Sequence, residues 1–235
     1  MSIGRTFLLF AFTLTTLISV AAPATQLPAR KVIIDSETQK VLDEVQQRYA
    51  RLKNWEAKFS QETFSVGLGQ GTFSKGDLKF VAPNRFVYSI QFPEASEFIS
   101  NGTEAWQVLY RKGRDKPAFV RHFKSVNETG IEKYLLVFRG WNKKARGAFK
   151  DFDFRGKLNG GNLMLELTPR EASEEMASIV LHFLVGKDAP VRAIITDALQ
   201  NTTTITIDSF STLKGSIDPN WFVPKIPKDS EKEEL

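Results

Sequence analysis

Apolar residues recur at helical spacing near the start of the chain and on alternate positions over most of the rest. Val41, Leu42, Val45, Tyr49 and Leu52 fall three and four residues apart among Glu, Gln and Arg. This predicts an amphipathic helix over 36–53, with Ser36 and Gln39 spaced as a capping box. The period then changes to two. Trp55, Ala57, Phe59 and Gln61 alternate with Glu56, Lys58 and Ser60, which reads as a half-buried strand. Gly67, Gly69 and Gly71 form a turn into a strand carrying Phe73, and Leu78 and Phe80 share a face before Pro83-Asn84. Phe86, Tyr88, Ile90 and Phe92 take every second place up to Pro93. Strands follow over 96–100, 103–110 (Trp106, Val108, Tyr110) and 117–124, with Asn101-Gly102 as a hairpin signal.

At Thr129 the pattern turns helical again. Thr129 and Glu132 offer a capping box, Ile131, Tyr134, Leu135 and Phe138 mark one face, and Gly140 is placed as a C-cap. After Lys143, Lys144 and Arg146, strands resume over 149–156, 162–168, 177–185, 190–197 and 202–209, with Gly160-Gly161 at one turn. Spacings of about 8 to 12 residues predict one antiparallel meander that closes or curls into a barrel. No linker divides it, so residues 25–227 read as one domain, and the charged run 228–235 is expected to be disordered.

The first segment reads as a targeting signal. Arg5 precedes an uncharged apolar run of 15 residues, Thr6 to Val20, short of the about 20 that a spanning helix needs. Small residues predict cleavage after Ala21 or Ala24, which implies an exported, soluble product.

Composition mainly excludes. The 235 residues contain no Cys and only His122 and His182, so thiolate metal sites, Cys nucleophiles and His-dependent triads are disfavoured. A formal charge of +5, scattered along the chain, does not mark nucleic-acid binding. There is no G-x-S-x-G, H-E-x-x-H or phosphate-loop motif, and the Gly67–Gly71 run lies between strands with no helix behind it. Asp151 and Asp153 share a strand face, with Phe152 and Phe154 on the other, and read as a solvated outer side. No enzyme, cofactor or metal site is therefore expected.

The 19 Phe residues are the best functional lead. They could simply fill a small barrel, or they could line a cavity covered by the 129–139 helix. Alternation alone leaves both open.

Here the chain resembles a known family. The runs G-T-F-S-K-G-D-L-K-F-V-A-P-N-R-F-V-Y, Q-F-P and F-I-S-N-G-T-E-A-W, between Gly71 and Trp106, are similar to the bacterial outer-membrane lipoprotein carrier family, LolA. W-E-A-K-F-S-Q before them, and L-M-L-E-L-T-P-R, T-D-A-L-Q-N-T-T-T-I-T-I and W-F-V-P-K-I-P after them, keep the family's order and spacing. The resemblance implies a mainly β (α+β) fold: a half-open curved antiparallel β-barrel covered by a few α-helices. Its apolar interior would take the acyl chains of triacylated lipoproteins in the periplasm. They would come from an inner-membrane lipoprotein-releasing ABC transporter and pass to an outer-membrane receptor, carried by a monomer without cofactor. The cavity residues implied are Phe59, Phe80, Phe86, Tyr88, Ile90, Trp106 and Leu165, with Ile131, Tyr134, Leu135 and Phe138 on a lid helix. One departure stands out: Ala82 occupies the place before Pro83-Asn84 where the family usually has Arg, and Arg85 is its nearest stand-in. A lipid or lipoprotein sensor of the same half-barrel architecture is the alternative. A secreted hydrolase would need a nucleophile and base that two isolated His do not provide.

Overall fold

The computed structural model describes residues 32–49, 51–110, 117–125, 152–171, 176–187, 189–226 and 231–234. The leader and the 129–139 helix, with Ile131, Tyr134, Leu135 and Phe138, lie outside the described residues. In chain order the elements are β1 (Val32–Ile33), α1 (Ser36–Tyr49), β2 (Asn54–Ser65), β3 (Gln70–Val81), β4 (Arg85–Phe92), β5 (Ser96–Asn101), β6 (Ala105–Tyr110) and β7 (Pro117–Phe123). Then come β8 (Phe152–Asn159), β9 (Asn162–Pro169), β10 (Ser178–Leu184), β11 (Arg192–Thr196), β12 (Thr202–Thr212), a 3-10 turn (Pro219–Phe222) and β13 (Glu231–Glu234).

The 13 strands among the described residues belong to one open, curved sheet in the order β1-β8-β9-β10-β11-β12-β2-β3-β4-β5-β6-β7-β13. The meander β8–β12 joins the meander β2–β7 through the antiparallel β12–β2 pair. The mainly β, half-open barrel is thus the fold, with α1 the single α-helix among the described residues. Only the edges depart from the antiparallel pattern. β1 runs parallel to β8, and β13 runs parallel to β7. The charged tail therefore contributes a strand where disorder is expected. Its backbone pairs with Phe119 to His122, and Arg121 donates to Glu233 at 2.7 Å. Composition reports only the missing apolar side chains, not the unpaired backbone groups that an exposed β7 edge offers.

The helix begins one residue earlier in its cap than expected. Asp35, not Ser36, is the N-cap: its Oδ1 accepts from the Thr38 N–H at 2.7 Å. Gln39 instead donates to Asp43 at 2.8 Å, one turn on. The helix ends at Tyr49 rather than 53, and by Lys53 the chain has joined the sheet end, its carbonyl accepting from the Ala82 N–H at 2.7 Å. The Thr38 N–H holds the Asp35 carboxyl below its ordinary value of 3.8. A carboxylate with a depressed pKa stabilises the fold above its unfolded pKa and loses that contribution as pH falls. Thermal melts should therefore place Asp35→Ala below the parent at neutral pH, with the two curves converging below about pH 4.

Turn chemistry follows the sequence closely. Gly160 and Gly161 adopt φ of 53° and 80°, the two positive values that a two-residue primed hairpin requires. At Asn101-Gly102, the Asn101 Oδ1 accepts from the Thr103 and Glu104 N–H groups at 2.9 and 2.8 Å. Two bulges are not legible in the sequence. Between β3 and β4, Gly76 faces Ile90 but Lys75 faces Phe92, so Gln91 is the extra residue and Phe92 turns to the outer face. Between β12 and β2, Asp208 is extra, which restores Phe210 to the inner face opposite Ala57 and carries the strand on to Thr212.

The inner face buries the main core, and α1 adds Leu42 and Val45 to it over the β8–β9 end. Gly156 makes room there for Ile34 and Thr38, whose side-chain carbons lie 3.0–3.1 Å from where its Cβ would be. The outer face carries a second, smaller cluster of Ile99, Trp106, Val108 and Val120, against which Val87, Tyr110 and Ile226 pack.

Candidate functional site

The concave face divides into two chemistries. On β8–β12 it is mostly aliphatic: Leu163, Leu165, Leu167, Ile179, Leu181, Ala193, Ile195 and Ile205 are all buried, with Phe152 and Phe183 among them. On β2–β7 it is aromatic. Trp55 lies between Phe80 and Phe210, at 5.5 and 5.4 Å between ring centroids. Phe86 stacks on Phe98 at 6.0 Å, and Phe98 meets Phe123 at 5.9 Å. These pairs come from cross-strand register, since Trp55 faces Phe80 and Phe80 faces Phe86. Phe59 faces Gly76, and the missing side chain there gives its ring space to stack on Tyr88 at 4.7 Å.

Of the residues expected to line a cavity, the structure brings Phe59, Phe80, Phe86, Tyr88, Ile90 and Leu165 onto this one face. Phe59, Phe80, Phe86 and Leu165 are fully buried in the packed layer, whereas Tyr88 and Ile90 belong to its edge, Tyr88 half-buried there and both packed against the buried core. Tyr88 also carries a polar contact on this face, its hydroxyl donating to Gln61 Oε1 at 2.6 Å.

Trp106 does not belong to the set. It faces Ile99 on the outer side and stacks on His122 at 5.2 Å, with ring planes 4° apart. The inner position beside it on β6 is Ala105, completely buried. The rings of Phe98 and Phe123, on the strands either side, meet across β6 and leave room only for a small side chain. Sequence reasoning also missed Phe98, Phe123 and Phe210 as members of the inner aromatic layer. The period-two signal was present for the first two, but the Asp208 bulge hid the third.

His122, His182 and Asp153 lie off this face. His122 lies 3.4 Å from Glu104, and no group of three metal-ligating side chains occurs among the described residues. His182 faces Arg192 on the outer side, where burial and then the Arg192 charge pull its pKa below the usual imidazole value. Asp153 lies 3.9 Å from Arg170, in keeping with a solvated outer side. Arg85 also lies on the outer face, its guanidinium 5.3 Å above the Phe222 ring. It thus serves the C-terminal segment and does not replace, on the inner face, the Arg absent at Ala82.

One end of the sheet exposes apolar side chains. Phe64, Val66, Leu68 and Phe73 on the β2–β3 hairpin, Phe92 at the end of β4 and Leu199 in the β11–β12 turn are all open to solvent, Leu68 by 70%. The hairpin is pinned to that turn by the Val66 N–H donating to Asn201 at 2.9 Å. No described helix is long and apolar enough to cross a membrane.

An open β-sheet with an apolar, aromatic-rich concave face, flanked by a helix, defines the half-barrel class. Within that class, the family model described as outer membrane lipoprotein carrier protein LolA matches residues 50–225, and the chain belongs to this family. No curated protein matches the chain. Among solved structures, an uncharacterized conserved protein from Thermus thermophilus is similar, with a TM-score of 0.49 and 14% identity, over 85% of this chain and 99% of its own. The LolA superfamily protein NE2245 from Nitrosomonas europaea gives 0.42 and 13% over 80% and 97%. A putative outer membrane lipoprotein-sorting protein domain from Vibrio parahaemolyticus gives 0.39 and 12% over 78% and 95%.

Proposed function

We propose that the protein is a periplasmic carrier that shelters the acyl chains of lipoproteins between an inner-membrane releasing transporter and an outer-membrane receptor. The observation that carries this reading is the single apolar concave face, richest in aromatic rings on β2–β7 and mostly aliphatic on β8–β12, on an open sheet of a LolA-family chain. In this reading the protein is a monomeric binder with no catalytic step and no cofactor.

The energetics favour a surface of this kind. At about 0.8 kcal/mol per methylene, three chains of roughly 15 carbons represent some 35 kcal/mol relative to water, so a lipoprotein does not cross an aqueous space unescorted. In the donor bilayer those methylenes are already dry, so transfer to an apolar protein face is close to balanced. Flat aromatic rings offer area without directional bonds, which permits both uptake and release. The exposed β2–β3 end, with Leu68 and Phe73, is where exchange with a membrane or an acylated partner takes place in this reading.

The test uses vesicles that display a triacylated lipoprotein together with an active releasing transporter, and asks whether a soluble one-to-one complex forms. Ile90→Asp places a charge at the edge of the aromatic layer and should lower complex yield at least about tenfold. Met164→Asp, on the outer face of β9, should leave it unchanged, with melting curves of both variants as folding controls. Absence of any complex with the parent protein overturns the carrier reading. Binding of free lipid without capture of lipoprotein moves it to the sensor alternative.

A further inference from the structure

The outer face of the sheet holds a groove of about 440 Å³ that the carrier reading does not use. It runs across β12, β2, β3, β4 and β5, and its wall is Trp221 of the 3-10 turn, which packs on β4 and β5. Its volume lies within the range of small-molecule sites, and most of its lining residues are charged or carry hydroxyls. Its floor holds Glu56 and Lys58 on β2, Asp77 and Lys79 on β3, and Glu97 on β5.

These opposite charges alternate along the floor without closing ion pairs. Register places Glu56 opposite Lys79 and Lys58 opposite Asp77, yet neither lysine closes an ion pair among the described residues. Lys79 instead sits with its Nζ 4.4 Å from the Trp221 ring centre. The carboxylates are held by neutral donors. Ser211 donates to Glu56 at 3.2 Å, Ser89 donates to Glu97 at 3.2 Å, and Tyr110 donates to the other Glu97 oxygen at 2.6 Å. Gln91, the extra residue of the β4 bulge, donates to Asp77. Each carboxylate keeps further lone-pair sites, and each ammonium keeps protons to give.

We propose that this groove is a second ligand site, on the face opposite the acyl-binding one, and that it takes a neutral saccharide. The lining carries three carboxylates and two ammonium groups. An anion meets the carboxylates at close range, and a cation meets the two lysines. An uncharged polyol avoids both penalties, because its hydroxyls donate to Glu56 and Asp77 and accept from Lys58. Trp221, 37% exposed, supplies the apolar edge against which the C–H face of a sugar ring packs. The site does not depend on the carrier reading, since its charged groups and Trp221 lie on the outer face, away from the acyl-binding surface.

Nuclear magnetic resonance titration of the full chain with cellotriose, maltotriose and chitotriose tests the proposal, with glycerophosphoethanolamine as a zwitterionic comparison. At least one trisaccharide should shift amide signals of β2, β3 and β4 around the groove. Trp221→Ala should weaken that binding about tenfold or more, and Asp77→Asn should weaken it independently, while capture of acylated protein stays at the parent level. Silence with every saccharide overturns the proposal. So do shifts that both variants leave unchanged, or shifts produced by the zwitterion alone.

Discussion

Gly76→Ala is expected to be the most damaging glycine-to-alanine change among the described residues. A Cβ at position 76 falls 2.2 Å from the Ser89 carbonyl oxygen and 2.5 Å from Phe59 Cζ. The second contact could be relieved only by swinging the whole Phe59 side chain aside, and the first is with the backbone of the paired strand. Relief therefore means prising β4 away from β3 beside a bulge that already interrupts their ladder. Overpacking of cores costs about 1–3 kcal/mol and more where backbone must move, so a loss of at least about 3 kcal/mol is expected. Urea unfolding measures it through a lower midpoint. Gly67→Ala, where nothing lies within 4 Å of the added carbon, is the matched control and should stay within about 0.5 kcal/mol of the parent. Equal stability of the two variants would show that β3 and β4 are not packed as described.

The second large effect is expected at Phe86. Its side chain is fully buried, opposite Phe80 in register and stacked on Phe98. Truncation to Ala removes the ring on which two neighbours rest, in a sheet whose strands cannot collapse inward one at a time. A loss of about 3–5 kcal/mol is expected from the same unfolding measurement. Phe92→Ala offers the contrast within one strand. Both residues are Phe in a run of alternating apolar positions, but Phe92 is 57% exposed, and its loss should fall within about 0.5 kcal/mol. The ratio of the two effects reports where the Gln91 bulge turns the strand over.

Phe86 and Phe92 also show how much of the molecule is legible in its sequence. Alternation locates β2, β3 and β4 and assigns Trp55, Phe59, Phe80 and Phe86 to one side, because a half-buried strand must separate its apolar and polar faces residue by residue. It does not locate a bulge, since one inserted residue leaves the local pattern looking regular while every later side chain changes face. Alternation misplaces Phe92 for this reason, and overlooks Phe210.

Trp106 fails differently. On β6 both faces are covered, one by the aromatic core and the other by the C-terminal segment around Ile226. The bulky residues Trp106 and Val108 join the outer cluster, because Phe98 and Phe123 fill the inner space above Ala105. Size alone points to the wrong face when the neighbours on the adjacent strands decide how much room is left.

By itself the sequence determined the strand-rich architecture, the turns at Asn101-Gly102 and Gly160-Gly161, and the apolar character of one long surface. These depend on backbone conformations and on periodicities that neighbouring residues express. Tertiary structure alone decided that β12 pairs with β2, that the tail strand closes the β7 edge, and that Trp221 walls a polar groove on the outer face. Each of these joins residues far apart in the chain through backbone hydrogen bonds or shared space, which no local pattern encodes.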